Sequence, residues 1–347
     1  MKKKLLTFLL CFPFFGFGQQ LISNTILYDG NMRQYEIYIP ASYDGTTSVP
    51  LLFNFHGGNG DIASQLYTSD MRPIADTANF IVVYPQALQD PNDGNSTNWL
   101  HKDPTTHDDI YFVERMIDTL SAQYMIDASR VYACGYSLGG EFTFELACRL
   151  SDKITAIAVV ARTMQQYQHD ICNPQHPTAV MTILGTADQI SPYNGLVWGG
   201  VTYYISADDT HLYWATINNT DSSAITIAMP DVNSVDGSTV DSRRWENGDN
   251  CVAVEELRVN NGGHDWPGSF GNMDINSDVK IWNFVSKYDM NGLIGCNVSS
   301  TFLVNDILEK KIVNVIDVWG RKSKQVNNQL LFYLYNDGTV EKKITIK

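Results

Sequence analysis

The sequence is short of basic residues. Its 347 residues include 24 lysines and arginines against 38 aspartates and glutamates, so the formal net charge at pH 7 is −14. Nucleic acids and anionic membrane surfaces are bound through clustered positive charge. A chain this acidic is therefore predicted to bind neither nucleic acid nor an anionic membrane.

Long apolar runs are also lacking beyond the N-terminus. Residues 5–17 are apolar and follow the lysines Lys2 to Lys4, and small residues come next around Gly18. This run is too short to span a bilayer, and its arrangement is typical of a secretory signal. Residues 1–18 are predicted to be a signal peptide. The mature chain is expected to be secreted or attached to the cell surface, without a membrane span.

Cysteine is scarce, and its spacing does not suit a metal. Six cysteines are present without any C-x-x-C pair, so no zinc site is predicted. Cys11 belongs to the signal, which leaves an odd number and at least one unpaired thiol. Cys134, in an apolar run, is the best candidate for a buried free thiol. No metal or organic cofactor is expected, although the acidic loop at residues 90–95 has oxygen ligands of the kind calcium prefers.

Short apolar runs alternate with helical segments along the chain. Strands are predicted at residues 26–28, 34–39, 50–55, 80–84, 131–134, 154–160, 179–184 and 252–259, and helices at residues 61–78, 109–124, 141–150 and 277–288. This alternation predicts an α/β fold, with a mostly parallel sheet and helices on both faces. Residues 86–106 are predicted to be a loop, and residues 193–250 an insertion that forms one wall of a pocket.

A G-x-S-x-G motif, Gly135-Tyr136-Ser137-Leu138-Gly139, lies between a predicted strand and a predicted helix. In this context the serine is a nucleophile on a sharp turn, and the glycines remove Cβ atoms that would collide there. The backbone amide of Leu138, at the start of the helix, is placed to bind an oxyanion. A chance glycine-serine turn is the alternative, and the flanking strand and helix favour a nucleophile.

A serine nucleophile needs a base, and the base needs an acid that orients it. Asp188 follows the predicted strand at residues 179–184, and His264 follows the one at residues 252–259. This is the chain order Ser, Asp, His known for such motifs. Asp170 and Asp265 are rival acids, but the first precedes the last core strands and the second is too near His264 in sequence. Ser137, Asp188 and His264 are therefore the predicted catalytic residues.

Three further positions complete the predicted site. His56-Gly57-Gly58 ends the strand at residues 50–55 and is similar to the oxyanion loops of esterases. The amides of Gly58 and Leu138 are predicted to form the oxyanion hole, although a simple glycine turn is the alternative. Trp99 and Trp266 are predicted to stack on a substrate ring, with loop support as the alternative role.

Together these motifs resemble the polyhydroxybutyrate depolymerases and related feruloyl esterases of the α/β-hydrolases. The motifs that carry the resemblance, in order over residues 31–288, are His56-Gly57-Gly58, Asn98-Trp99, Asp108-Asp109-Ile110, the Ser137 motif, Gly185-Thr186-Ala187-Asp188, Pro192-Tyr193-Asn194-Gly195, Tyr213-Trp214 and Gly262-Gly263-His264-Asp265-Trp266-Pro267-Gly268. The resemblance implies an esterase domain over residues 19–292 and the catalytic roles given above. A cysteine common in the family is missing near Asn218, which leaves its disulfide open. A Cys148–Cys172 bond is our hypothesis.

The C-terminal part differs in character. Residues 308–318 and 330–335 alternate like strands, and the chain ends in a lysine-rich stretch. The segment Asp337-Gly338-Thr339-Val340-Glu341-Lys342 resembles the C-terminal sorting domains of type IX secretion in Bacteroidetes. Residues 293–347 are therefore predicted to be a small β-module that is recognised by the type IX secretion machinery. An accessory β-domain that binds polymer is the alternative.

These expectations combine into one predicted function. The chain is predicted to be a secreted serine carboxylesterase, most simply a feruloyl or acetyl esterase of plant cell-wall polysaccharide that works through an acyl-enzyme. One alternative is a polyhydroxyalkanoate depolymerase or short-chain ester hydrolase. Another is a non-catalytic surface-binding protein on a hydrolase scaffold, which the intact Ser137, Asp188 and His264 disfavour.

Overall fold

A computed structural model describes residues 19–90, 94, 96–99, 108–296, 312–317, 321–323, 330–335 and 340–344. The predicted signal peptide and most of the acidic loop at residues 90–95 lie outside the described residues. The chain divides into two compact units, Met1–Cys296 and Asn297–Lys347. Within the described ranges, no helix is both long and apolar enough to cross a bilayer.

The first unit alternates strands with helices. Its strands are β1 (Gln20–Tyr28), β2 (Asn31–Ile39), β3 (Val49–Phe55), β4 (Ile81–Pro85), β5 (Leu88–Asp90), β6 (Ser96–Asn98), β7 (Ile126–Tyr136), β8 (Ala156–Val160), β9 (Ala179–Gly185), β10 (Leu196–Trp198), β11 (Val201–Tyr204), β12 (Ile225–Ala228), β13 (Thr239–Trp245), β14 (Val254–Asn260), β15 (Tyr288–Asp289) and β16 (Gly292–Leu293). Its helices are α1 (Ile62–Thr68), α2 (Arg72–Ala78), α3 (Asp109–Gln123), α4 (Leu138–Arg149), α5 (Gln166–Ile171), α6 (Ala207–Ile217) and α7 (Ser277–Val285), with a 3₁₀ turn at Asp249–Cys251.

One sheet of ten strands organises this unit, in the order β1-β2-β4-β3-β7-β8-β9-β14-β13-β12. The six central strands, from β4 to β14, are parallel to one another. Antiparallel strands extend the sheet at both edges. The predicted α/β fold with a mostly parallel sheet is thus confirmed. Parallel central strands bring their carboxyl ends to one edge, where loops can converge.

The core lies on both faces of this sheet. In β3, Leu51 and Phe53 join the cluster that packs under α3 and α4, whereas Leu52 joins the cluster under α2 and α7. Successive side chains of a strand point to opposite faces, so a central strand buried on both sides reads as an unbroken apolar run. The helices therefore cover both faces, as the alternation of apolar segments predicts.

Three segments differ from the sequence-based expectations. The helix predicted at residues 61–78 is two helices. Ser69 ends α1, and Pro73 lies in the first turn of α2, a position that proline favours. The loop predicted at residues 86–106 contains the hairpin of β5 and β6. The insertion at residues 193–250 contributes β12 and β13 to the main sheet. Short polar strands such as β13 depend on pairing with a neighbour, and local sequence does not show that neighbour.

The cysteines pair as hypothesised, with one addition. Cys148 at the end of α4 is bonded to Cys172 at the end of α5, which confirms that hypothesis. Cys134 is free and buried in β7, as predicted. A second disulfide, Cys251–Cys296, was not foreseen. It ties the end of the first unit to the 3₁₀ turn, so this unit extends four residues past the boundary predicted at residue 292.

The second unit contains β17 (Ile312–Asp317), β18 (Leu330–Tyr335) and β19 (Val340–Ile344). They form a three-stranded antiparallel sheet with β18 in the middle. Two of its strands lie where alternation of apolar residues predicts them, and β19 covers part of the lysine-rich end.

Candidate active site

Ser137 occupies a strained turn between β7 and α4. Its φ of 52° and ψ of −118° are unusual for a residue with a side chain, and such strain gathers at functional sites. The turn is also very tight. A Cβ atom on Gly135 would lie 2.3 Å from the carbonyl oxygen of Gly139, and one on Gly139 would lie 2.4 Å from that of Phe55. The glycines of the motif are therefore required by close backbone packing.

Ser137, His264 and Asp188 form one hydrogen-bonded chain. The Nε2 atom of His264 lies 2.9 Å from the Ser137 Oγ, and its Nδ1 lies 2.7 Å from the Asp188 Oδ2. The other carboxylate oxygen of Asp188 accepts the backbone amides of Ile190 and Ser191, each at 2.8 Å. The aspartate is thus held on both sides and fixes the imidazole ring toward the serine.

Neither rival acid, Asp170 or Asp265, is hydrogen-bonded to the imidazole of His264. Asp170 lies on α5 and contacts Gln166 and His169. Asp265 accepts the backbone amide of Gly263 and so stabilises the turn before His264. Neither carboxylate reaches the imidazole of His264, which leaves Asp188 as its partner.

Trp266 holds the histidine loop from beneath. Its side chain is 1% exposed, and its indole N–H donates to Asp278 at 3.0 Å. The hydroxyl of Ser69 donates to the same carboxylate oxygen at 2.7 Å. Burial nevertheless raises the pKa of Asp278 to about 6. The predicted stacking of Trp266 on substrate is wrong, because no face of the ring is accessible, and the residue supports the loop instead.

Trp99 is buried in the same way behind the oxyanion loop. Its side chain is 1% exposed, its indole N–H donates to the His56 carbonyl oxygen at 2.9 Å, and its ring packs against Phe55 and Phe142. Its predicted stacking on substrate is also wrong, for the same reason. The sequence of a motif does not show which way an aromatic side chain points. Only tertiary packing shows whether that side chain supports a loop or binds substrate.

His56 braces the glycine loop as a neutral side chain. Its Nε2 accepts the amide of Ala87 at 3.1 Å, so its Nδ1 carries the proton and donates to the Gly57 carbonyl oxygen at 2.7 Å. Burial lowers the pKa of this imidazole and keeps it uncharged. His56 therefore orients the loop without taking part in proton transfer at the serine.

Gly58 and Leu138 lie against each other beside Ser137. A Cβ atom on Gly58 would lie 2.5 Å from the Leu138 Cδ1, and both residues line the cleft that contains the serine. Within the described part of the chain, neither backbone amide donates to a protein acceptor. Two unpaired amides next to a nucleophile, one of them at a helix N-terminus, can bind a developing negative charge.

The cleft has a volume of about 410 Å³. Residues that line it are Gly57, Gly58, Asn59, Tyr136, Ser137, Leu138, Arg162, Ile190 and His264. Two of these, Tyr136 and Arg162, have roles that sequence reasoning missed. Tyr136 donates its hydroxyl to the His264 carbonyl oxygen at 2.6 Å. Arg162 comes two residues after β8, at the same sheet edge as the other site residues, and that position was the signal available in the sequence.

A buried ion pair fixes Arg162. Its guanidinium donates to Glu141 at 3.0 and 2.6 Å, and the carboxylate is fully buried in the first turn of α4. Tyr204 adds its own hydroxyl to Glu141 at 2.8 Å, and its ring stacks under the guanidinium. A pair this deeply buried is held in one geometry by its hydrogen bonds. It connects the nucleophile helix to β11.

Esterases occur both among the proteins of similar sequence and among the proteins of similar structure. The chain is 27% identical to feruloyl esterase B of Piromyces equi over 74% of its own length, and 26% identical to a bifunctional acetylxylan esterase/xylanase of Neocallimastix patriciarum over 77%. It is 28% identical to poly(3-hydroxyalkanoate) depolymerase C of Paucimonas lemoignei over 40%. The alignments cover 46%, 35% and 33% of those relatives, so the chain spans less than half of each. No protein-family model matches the sequence.

An acetyl xylan esterase from Aspergillus awamori has a similar structure. The match covers 78% of this chain and 99% of that one, with a TM-score of 0.54 at 15% sequence identity. The fold is that of an α/β-hydrolase. In an α/β-hydrolase the nucleophile, acid and base come from loops at the carboxyl ends of the strands. Ser137 after β7, Asp188 after β9 and His264 after β14 occupy those places in this fold.

Proposed function

We propose that this chain is a secreted serine carboxylesterase that hydrolyses feruloyl or acetyl esters on plant cell-wall polysaccharide. The observation that carries the proposal is the hydrogen-bonded chain from Ser137 through His264 to Asp188 at the floor of an open cleft. The similarity to esterases over three quarters of the chain supports the ester as substrate. The feruloyl or acetyl group is proposed from the names of those relatives.

The geometry supports an acyl-enzyme mechanism. The Ser137 Oγ attacks the ester carbonyl carbon while the His264 Nε2 takes its proton, and Asp188 stabilises the imidazolium. The amides of Gly58 and Leu138 hold the oxyanion, and each such donor lowers the barrier by about 3 kcal/mol. When the tetrahedral intermediate collapses, His264 returns the proton to the leaving alcohol. Water then attacks the acyl-enzyme by the same route, releasing the acid and restoring Ser137.

Substitution of the nucleophile tests this proposal. Ser137→Ala is expected to reduce turnover of a p-nitrophenyl ester by several orders of magnitude, since the residues of a triad act as a unit. Ser242→Ala on β13, a partly buried serine outside the cleft, is the matched control and should retain turnover. Unchanged turnover in Ser137→Ala would contradict esterase catalysis and favour a non-catalytic binding protein.

A polyhydroxyalkanoate is the second candidate substrate. The similarity to a depolymerase over 40% of the chain favours it, and the same acyl-enzyme chemistry would apply. Acid release should be compared on methyl ferulate, acetylated xylan and polyhydroxybutyrate film. Release from the two plant-type esters alone supports the first candidate, whereas release from the film alone supports the second.

We also propose that residues 1–18 direct export and that residues 297–347, the second compact unit, are a type IX sorting domain. The apolar run after three lysines and the resemblance of the C-terminal segment to such domains support this. On this proposal the C-terminal β-module acts as an address and takes no part in ester hydrolysis.

A further inference from the structure

The hairpin of β10 and β11 presents an exposed aromatic and aliphatic surface. Trp198 is 75% exposed, and Val197, Val201 and Tyr203 are also exposed. Residues 196–204 include no acidic residue, lysine, arginine or histidine, although the chain as a whole is strongly acidic. A concentrated apolar surface of this kind on a water-exposed hairpin is characteristic of a binding site.

The base of this hairpin is joined to the cleft that contains Ser137. Ile190, two residues after Asp188, lines the cleft and is 66% exposed, and the hairpin begins six residues later. At the other end of the hairpin, Tyr204 bonds Glu141 and stacks under Arg162, which also lines the cleft. The end of the hairpin at Tyr204 is therefore attached to a residue that lines the cleft, and its start follows another such residue closely along the chain.

The attachment holds the hairpin in place. The carboxylate of Glu141 has no solvent exposure, so its bond to Tyr204 is a buried anchor. Ile205, directly after β11, donates its amide to the Met164 carbonyl oxygen at 3.0 Å. On the exposed part, the rings of Trp198 and Tyr203 lie 6.4 Å apart at an angle of 45°. A rigid pair of aromatic rings offers contact area at a low cost in conformational entropy.

We propose that the hairpin of β10 and β11 binds the neutral polysaccharide chain that carries the ester, an inference that rests on the proposed function. A sugar ring has an apolar face of C–H groups and a rim of hydroxyls. The ring faces of Trp198 and Tyr203 suit the apolar face of a sugar, and their N–H and O–H groups suit its hydroxyls. The lack of charge on the hairpin suits an uncharged chain, and a polymer too long for the 410 Å³ cleft must continue onto the surface beside it.

A double variant separates polymer binding from catalysis. In the full chain, Trp198→Ala with Tyr203→Ala should raise KM for feruloylated or acetylated xylan roughly tenfold, because two stacking contacts are lost. Turnover and KM for soluble methyl ferulate should not change, which also shows that the variant is folded. Tyr111→Ala, an exposed tyrosine on α3, is the matched control and should leave both substrates unaffected. An unchanged KM for the polymer would overturn the inference.

Binding without turnover distinguishes this inference from the proposed function. Full-length Ser137→Ala protein should sediment with insoluble xylan, and adding the two hairpin substitutions should abolish sedimentation. If xylan is bound in this way but no xylan ester is hydrolysed by the unchanged protein, only the proposed function fails. If the hairpin substitutions instead abolish binding to polyhydroxybutyrate film, or convert a dimer to a monomer in light scattering, the hairpin binds a polyester or a second copy and the inference is wrong.

Discussion

The hydroxyl of Tyr136 is predicted to position His264, the proposed catalytic base. It donates to the carbonyl oxygen of His264 at 2.6 Å, and its ring packs at 5.1 Å from the imidazole. Tyr136→Phe removes the hydrogen bond and keeps the ring. A single hydrogen bond of this kind contributes about 1 kcal/mol. If that energy holds His264 in its reactive position, kcat should fall about fivefold to tenfold with little change in KM.

Tyr132→Phe is the matched control for this substitution. Tyr132 lies four residues earlier on the same strand and donates its hydroxyl to the Tyr288 carbonyl oxygen, also at 2.6 Å. Both variants should lose about 1 kcal/mol of unfolding free energy in urea. Only Tyr136→Phe should lose kcat on a soluble ester, because only its partner belongs to the triad. Equal kcat in the two variants would refute a positioning role for Tyr136 and leave it a structural one.

Three further outcomes follow from the structure. First, Asp278→Asn should alter the pH dependence of stability. The folded-state pKa of about 6 lies above the ordinary value of 3.8, so the wild-type unfolding free energy should fall by about 2 to 3 kcal/mol between pH 4 and pH 7 relative to the variant, as urea unfolding at several pH values will show. Parallel curves for the two proteins would contradict the assigned cause. Second, replacing both Cys148 and Cys172 by serine should lower the unfolding free energy by about 3 kcal/mol, because the bond closes a loop with a sequence separation of 24, while activity at 25 °C persists. A stability equal to that of the unchanged protein under oxidising conditions would show that the bond does not constrain the chain. Third, deletion of residues 300–347 should block export and leave the turnover of purified protein intact. Loss of polymer binding in the deleted protein would support an accessory binding domain instead.

Much of the site was predictable because its residues follow directly from strand ends. Ser137, Asp188 and His264 each come after an apolar run, and parallel strands place their carboxyl ends at one edge. The need for glycine at positions 135 and 139 was predictable, because the G-x-S-x-G motif implies a tight turn in which a Cβ atom would collide with the backbone. The predictions for Trp99 and Trp266 were wrong because the sequence of a motif does not show whether a tryptophan side chain faces solvent or the core. Their burial depends on contacts with residues outside the motif, His56 for Trp99 at a separation of 43 residues and Asp278 for Trp266 at a separation of 12.

The sequence by itself determined the alternation of strands and helices, the serine turn and the order of the catalytic residues, since each depends on local periodicity or on local steric demands. Tertiary structure alone decided the Glu141, Arg162 and Tyr204 network, the Cys251–Cys296 bond and the addition of β12 and β13 to the sheet. The network and the disulfide join segments more than twenty residues apart, and β12 and β13 depend on pairing with their neighbours, so each feature is stable only once burial and pairing bring its partners together. The exposure of Trp198 belongs to the same group, because exposure is a property of the folded surface and of no single segment.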